Sequence, residues 1–242
     1  MEALRAETFL EAVKPALRRG DAEALSQTVR ERWVPKQLCP LLRHTDAEVR
    51  RAAAVALGMV GDRSVVGCLV RCLGDADERV HRDAEDALWS VWFRGSGPGA
   101  GERFRRGVLA LTDDRLAEAI EHFNAALDLD HEFAEAYNQL AIAHYLAGEW
   151  RASTAACRQA LALMPSHFGA LAGMGHCQAH LGRADEAKAC YRRALTINPR
   201  MPAIRSALAR LESQAETSGG DSPTEADDTT LLNFPPDSRR SA

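Results

Sequence analysis

Apolar residues in this chain recur at helical spacing, and in the first third of the chain the recurrence itself repeats. Residues 41–57 (LLRHTDAEVRRAAAVAL) align with residues 72–88 (CLGDADERVHRDAEDAL) at an offset of 31. Another apolar helical segment lies upstream of each block. The repeating unit is therefore predicted to be a helix, a short polar turn and a second helix. Residues 1–33 also read as helices but match the repeat poorly, as expected of a terminal capping unit.

The polar turn of the first repeat offers two candidates for capping its second helix, Thr45 and Asp46. Both side chains can accept a hydrogen bond from the free backbone N–H groups of a first helical turn. Glu48 lies three residues after Thr45, which is the spacing of a capping box. The second helix is thus predicted to begin at this turn.

The turn and the helix after it resemble the short HEAT-like repeats of phycobilin lyase subunits and bacterial adaptors. The shared residues are Asp46, Val49, Arg50 and Ala53. In the second repeat His81 stands where such repeats usually have arginine. The resemblance implies a ladder of Asp–Arg contacts between repeats, which His81 is expected to weaken.

A glycine-rich segment, RGSGPGAG at 94–101, follows the second HEAT-like repeat. Glycine and proline at this density are typical of a linker. The domain boundary is therefore predicted here, with a HEAT-like domain at 1–93 and a second domain beginning at residue 102.

From residue 102 the period changes to 34 residues. Small residues, aromatic or apolar residues and helix-ending residues each recur at this interval. The matched sets are Gly107, Ala141 and Gly175; Ala119, Ser153 and Ala187; Phe123, Cys157 and Tyr191; Ala126, Ala160 and Ala194; and His131, Pro165 and Pro199. Each unit is predicted to be a pair of helices that cross at the small residues.

This pattern resembles the tetratricopeptide repeat over about 115 residues. Asp114 replaces the glycine of the turn and His131 replaces the closing proline, so the first repeat is the least regular. Residues 202–214 are amphipathic and suit a capping helix. The predicted fold is all-α: two short α-solenoid arrays, with three tetratricopeptide repeats and their capping helix at 102–215.

The resemblance to tetratricopeptide domains implies a concave groove lined by the first helix of each repeat. Its polar residues would hydrogen-bond an extended or helical partner segment, and its apolar residues would accept the partner's side chains. The alternative is that these residues face solvent or pack on a neighbouring element. The predicted groove residues are Phe104, Val108, Leu111, Asn138, Ile142, Tyr145, Ala172, His176, Ala179 and His180.

Tetratricopeptide co-chaperones hold a C-terminal carboxylate with lysine, asparagine and arginine side chains in this groove. The corresponding positions here are Phe104, Val108, Gln139, Gly169 and Gly173. None of these residues supplies a cation. A chaperone-tail ligand is therefore disfavoured.

His176 and His180 lie one helical turn apart, a spacing that can present two imidazoles to one metal ion. The repeat register assigns no third ligand to the same patch, so two groove histidines that help a partner to dock are favoured. The six cysteines lack a CxxC motif and are predicted to be reduced and mostly buried. Neither a metal nor another cofactor is predicted.

The chain has 30 Lys/Arg and 34 Asp/Glu residues, and the acidic excess falls in residues 216–242. The neutral remainder lacks the basic face that nucleic acid requires. No signal peptide or membrane-spanning stretch is recognisable, which predicts a cytoplasmic protein without a membrane partner. Motifs of hydrolases, metalloproteases and phosphate-binding loops are absent from the sequence, so an enzyme is not predicted.

Residues 216–242 are polar and acidic, and they are predicted to be disordered in isolation. They contain one apolar island, LLNFPP at 231–236. This island is either a chance occurrence or a docking motif, and one candidate receptor is the groove of the same chain at Phe104, Val108 and Ile142.

The sequence thus predicts a scaffold or adaptor that binds other proteins. Two alternatives remain. The HEAT-like part, by analogy with phycobilin lyase subunits, would serve an enzyme-associated role with a tetrapyrrole or its acceptor protein. The chain would otherwise be a structural oligomerisation module.

Overall fold

The computed structural model describes residues 4–94 and 97–217, and the regular secondary structure of these residues is entirely helical. The prediction of an all-α fold is confirmed. The chain divides into two compact units, unit 1 at 1–94 and unit 2 at 95–242. The predicted tail begins at residue 216, but the last helix extends to Thr217. Residues 218–242 of that tail, with its apolar island, lie outside the described residues.

Unit 1 contains six α-helices and two 3-10 turns among its described residues. The helices are α1 (Ala6–Arg19), α2 (Ala22–Arg32), α3 (Pro35–Leu38), α4 (Ala47–Val60), α5 (Val66–Cys72) and α6 (Glu78–Phe93), and the 3-10 turns are Cys39–Arg43 and Arg63–Val65. The second helices of the two predicted repeats are α4 and α6, which contact each other. Their interface buries small residues of α4, including Ala53 and Ala56.

Aspartates cap both of these helices. The Asp46 carboxylate accepts from the backbone N–H of Glu48 at 2.9 Å, and Asp77 accepts from that of Arg79 at 2.8 Å. Because Asp46 rather than Thr45 is the cap, Glu48 lies one residue too early to close a capping box. That prediction was wrong, and the Glu48 side chain instead pairs with Arg79.

Asp–Arg contacts join the two repeats at two places in the described chain, as expected. Arg51 on α4 donates from Nε to Asp83 on α6 at 2.8 Å, and the second contact lies at the predicted turn. Arg50 on α4 donates from Nε and Nη2 to both carboxylate oxygens of Asp75, at 2.8 and 2.9 Å, in the turn before α6. His81 occupies the equivalent position on α6 and donates from Nδ1 to the carbonyl of Leu73 at 2.7 Å. Since α6 is the last helix of unit 1 in the described chain, a side chain here has no following turn to pair with.

Unit 2 contains seven helices among its described residues, which fit three helical pairs and a capping helix. They are α7 (Pro98–Thr112), α8 (Leu116–Leu129), α9 (Ala134–Leu146), α10 (Trp150–Leu163), α11 (Phe168–His180), α12 (Ala184–Ile197) and α13 (Pro202–Thr217). Because α7 begins at Pro98, the predicted linker 94–101 is wrong at its C-terminal end. Proline suits the first helical position, where its missing N–H leaves no bond unmade.

The 34-residue period reflects two geometric requirements. The turns within the repeats use a left-handed residue at Asp114, Gly148 and Gly182, with φ between 59° and 76°. Glycine adopts this conformation without strain and aspartate tolerates it, which explains the departure in the first repeat. The second requirement is close approach: a Cβ on Gly107 would come within 2.6 Å of Phe123, which fills the space beside that glycine.

The last helix closes the array. Ile204 and Ala207 on α13 are buried against Leu171, Ala187 and Tyr191 of the third repeat. This confirms the predicted capping role. None of the helices that the structure describes is long and apolar enough to span a membrane.

Candidate functional site

The first helices of the repeats, α7, α9 and α11, contact one another in sequence order and carry the residues predicted to line a groove. The structure divides these residues by exposure. Val108, Ile142, Ala179 and His180 are partly exposed, whereas Phe104, Leu111, Asn138, Tyr145, Ala172 and His176 are buried. The accessible surface is therefore narrower than the sequence predicts.

Phe104 belongs to the core of the first repeat. Its ring centroid lies 4.7 Å from that of Phe133 and 5.8 Å from that of Phe123, and the residue is 2% exposed. A ligand cannot contact a side chain that is enclosed in this way. The assignment of Phe104 to the groove was wrong, because Phe104 fills the space between α7 and the residues that lead into α9.

A small cleft brings together three of the predicted residues of the second repeat. The cleft is a shallow depression that is open to solvent, and its enclosed part has room for about one water molecule. Ile142 is the partly exposed apolar side chain at this cleft. The lining residues are Asn138, Ala141, Ile142, Tyr145, Ser153, Cys157 and Gly173.

Aromatic residues hold one wall of the cleft rigid. The Tyr145 hydroxyl is hydrogen-bonded to His180 Nε2 at 2.8 Å. The His180 ring is stacked on Trp150, with centroids 4.1 Å apart and planes 6° from parallel. Tyr145 also makes an edge contact with Trp150 at 5.3 Å. Such mutual contacts fix the rotamers of Tyr145, Trp150 and His180.

His176 makes an analogous contact one helical turn earlier. Its Nδ1 is hydrogen-bonded to the Tyr191 hydroxyl at 2.9 Å. Burial raises the pKa of Tyr191 well above its usual value, so the phenol remains protonated at neutral pH. His176 and His180 thus bond to different tyrosines instead of converging on one point. The described residues contain no group of three metal-ligating side chains.

A buried polar cluster behind the cleft links the starts of α9 and α11. His167 Nε2 donates to Glu135 Oε2 at 2.7 Å, and both side chains are fully buried. The other oxygen of Glu135 accepts from Asn138 at 3.1 Å and from Gln139 at 2.7 Å. Asn138 is therefore a structural donor, and its amide nitrogen is already used.

Sequence reasoning missed this cluster, although the repeat register contains a signal. His167 stands at a position occupied by Phe133 and Met201 in the neighbouring units. Glu135 stands two register positions later, where the first and third repeats have Gly101 and Gly169. Two polar departures this close in the register indicate a buried pair.

The thiols near the cleft are structural. Cys177 donates to Ser153 Oγ at 3.0 Å, and Ser153 donates to the carbonyl of Ala141 at 2.7 Å. Burial raises the pKa of Cys157 and of Cys177 above the usual thiol value. Because the thiolate is the nucleophilic form, neither cysteine is suited to covalent chemistry.

The capping helix adds a cation to the same register. Val108, Ile142, His176 and Arg210 are spaced by 34 residues on α7, α9, α11 and α13, and we call them the inner row. Arg210 is exposed, and its positive charge acts on the Tyr191 phenol that bonds His176. The inner row therefore runs from apolar to basic along the array. The sequence prediction did not include Arg210.

Comparison with known proteins agrees with the two periods. A family model described as HEAT repeats matches residues 6–89. Two tetratricopeptide models match residues 114–148 and 146–211. The matches cover the described helices of unit 1 from α1 into α6 and most of the helical pairs of unit 2.

A TPR repeat-containing protein of Rhizobium etli is 29% identical over 111 residues, which are 46% of this chain and 53% of that protein. The chain thus spans about half the length of the curated relative it matches. The first TPR domain of Spaghetti (RPAP3), solved with an HSP90 peptide, is 24% identical and covers 51% of this chain and 97% of its own, with a TM-score of 0.49. The Sgt2 TPR domain of Aspergillus fumigatus is 16% identical, covers 55% and 91%, and has a TM-score of 0.49. The chain is a repeat protein, with HEAT repeats in unit 1 and tetratricopeptide repeats in unit 2.

Proposed function

We propose that this chain is a protein-binding adaptor whose unit 2 holds a segment of a partner protein along the inner row. Tetratricopeptide repeats in themselves support a role as a protein-interaction scaffold. The observation that carries the finer proposal is the cleft beside Ile142, where the lining residue Tyr145 is held in place by His180 and Trp150. A preformed wall lowers the entropic cost of binding.

The lining of the cleft selects the chemistry of the partner. Ile142 offers apolar surface, and none of the residues that line the cleft is Lys, Arg or His. The partner is therefore expected to pack an apolar side chain against Ile142, and a terminal carboxylate is disfavoured. With Phe104 and Leu111 buried, affinity should arise mainly from the second and third repeats.

No catalytic role is proposed for unit 2. Burial raises the pKa of its thiols, which disfavours the reactive thiolate. The buried carboxylate of Glu135 is saturated by three side-chain donors. These groups stabilise the fold instead of facing a substrate.

The proposal is tested by selecting peptides from a display library on the full chain and measuring their affinities. Ile142→Glu should weaken binding of the selected peptides by tenfold or more, because a carboxylate would occupy the apolar site. Leu129→Glu is the matched control, since Leu129 is 63% exposed on α8 and outside the inner row. Equal affinities for the two variants would place the binding surface elsewhere on the chain.

A further inference from the structure

The residues that follow α13 have a chemistry complementary to the inner row. Segment 225–234, EADDTTLLNF, begins with three carboxylates in four residues. Leu231, Leu232 and Phe234 follow directly. The order along the segment is therefore acidic and then apolar.

The inner row presents the matching order from the capping helix inward. Arg210 lies on α13 and is exposed. In the described part of the chain, its guanidinium makes no ion pair with a carboxylate, whereas nearby Arg192 pairs with Glu212 at 2.6 Å. The apolar site at Ile142 lies on α9, and α11 is the first helix between α9 and α13. A ligand that runs inward from α13 thus meets a cation first and the apolar cleft second.

The lengths agree with this arrangement. Arg210 precedes Thr217, where α13 ends, by seven residues, which is about 10 Å of helix at ~1.5 Å per residue. Seven residues, 218–224, separate the end of α13 from the segment, and a linker of that length can bridge roughly 15 Å, from ~5–6 Å times the square root of the number of residues. The segment's acidic end can therefore return to Arg210.

The second distance also fits. Packed helices lie ~8–10 Å apart, so Ile142 is about 20 Å from Arg210 across two such spacings. Six residues separate Asp228 from Phe234, and in extended form they reach about 20 Å at ~3.3–3.6 Å per residue. An acidic contact at Arg210 therefore places Phe234 at the cleft, with Leu231 and Leu232 along the inner row before it.

We propose that segment 225–234 is an internal ligand of unit 2, with its carboxylates on Arg210 and Phe234 at the Ile142 cleft. This inference rests on the proposed function of the inner row and names one occupant for it. A tether of this length gives an effective concentration of about a millimolar. A partner protein must then compete with the chain's own segment for the inner row.

The test uses the full chain and a synthetic fluorescent peptide of residues 222–236 as the probe. A triple variant, Leu231→Ser, Leu232→Ser and Phe234→Ser, should bind the probe at least tenfold more tightly than the parent chain, because its own segment no longer competes. Adding Arg210→Glu to the triple variant should weaken probe binding again by tenfold or more. Arg193→Glu is the control for the same charge change, since Arg193 is exposed on α12.

Equal probe affinity in the parent chain and the triple variant would overturn the inference, as would an equal effect of Arg210→Glu and Arg193→Glu. A photoreactive benzoylphenylalanine at position 234 supplies a second readout. Cross-links within one chain to residues 138–145 are expected, and cross-links confined to unit 1 or to a second chain would contradict the inference.

The experiments distinguish a failure of the internal-ligand proposal from a failure of the proposed function. If library peptides lose affinity on Ile142→Glu while the 222–236 probe does not bind, the inner row is a binding site for other proteins and the internal ligand is refuted. If neither ligand responds to Ile142→Glu, the proposed function itself is refuted.

Discussion

His167 donates from Nε2 to Glu135 across 2.7 Å, with both side chains fully buried. His167 Nδ1 accepts from the backbone N–H of Ala170 at 3.1 Å at the start of α11, which places the ring proton on Nε2. Glu135 lies in the first turn of α9, where the helix dipole favours a negative charge. The His167 ring therefore fixes the second and third repeats relative to each other through Glu135, and it caps α11 through Ala170.

Removing His167 should destabilise unit 2 strongly. His167→Ala leaves the buried Glu135 without one of its three donors and α11 without its cap, which should cost about 3–5 kcal/mol. Hydrogen exchange of unit 2 peptides measures this loss. His131→Ala is the control, because His131 is exposed, and it should change stability by less than about 0.5 kcal/mol. Similar protection in both variants would show that the buried contact contributes little.

Asn138 donates to the same carboxylate at 3.1 Å. Asn138→Ala is therefore expected to lower stability, by about 1–3 kcal/mol for an unsatisfied buried group. This differs from the behaviour expected of an exposed groove residue. Thermal unfolding of the full chain distinguishes the two cases, since a midpoint unchanged within a degree would contradict the structural role.

Two glycines on α11 should respond oppositely to alanine. A Cβ on Gly175 would clash with the ring of Tyr191, so Gly175→Ala should destabilise unit 2 by about 1–3 kcal/mol. A Cβ on Gly173 would lie 3.6 Å from Cys157 Sγ, which is ordinary contact. Gly173→Ala should therefore stabilise α11 by up to about 1 kcal/mol. Urea unfolding followed by hydrogen exchange in unit 2 checks the sign of each change.

Arg50 should stabilise unit 1 through Asp75. Arg50→Met removes two charge-assisted hydrogen bonds from a largely buried carboxylate and should cost about 1.5–3 kcal/mol at neutral pH. Arg82→Met is the control, because Arg82 pairs with Glu78 on the surface and should change stability by less than about 0.5 kcal/mol. Three of the four tryptophans, Trp33, Trp89 and Trp92, lie in unit 1, so tryptophan fluorescence reports mainly on this unit.

The contribution of this pair has a definite dependence on pH. Hydrogen bonding to Arg50 lowers the pKa of Asp75 below its usual value of 3.8. The stabilisation is therefore present above about pH 4 and is lost as the pH falls through the lowered pKa. The difference between the parent chain and Arg50→Met should shrink below pH 4. A difference that stays constant down to pH 2 would contradict the ion pair.

Independent folding of the two units is a prediction that proteolysis can test. The change of period and the start of α7 at Pro98 favour first cleavage between 94 and 98 or beyond residue 217. Trypsin and elastase together cover the basic and small residues there. Two resistant fragments are expected, and persistent protection of 94–98 would argue for one continuous array.

The sequence by itself determined the helical pairs, because their repeats impose constraints at fixed spacing. The pair Gly107 and Phe123 recurs as Gly175 and Tyr191, where a small residue admits a large ring. The capping helix and the turn aspartate Asp114 followed from the same register. These features depend on contacts within a repeat or between neighbouring repeats, which a period in the sequence reports directly.

Only the tertiary structure decided which register positions remain accessible. Phe104 and Ile142 are both apolar residues of first helices, yet Phe104 is enclosed by Phe123 and Phe133 whereas Ile142 opens onto a cleft. Exposure depends on the size of side chains that other elements bring to the same place. Likewise His180 acquires its role only where Trp150 stacks on it, because a contact between α10 and α11 has no signature at the helical period.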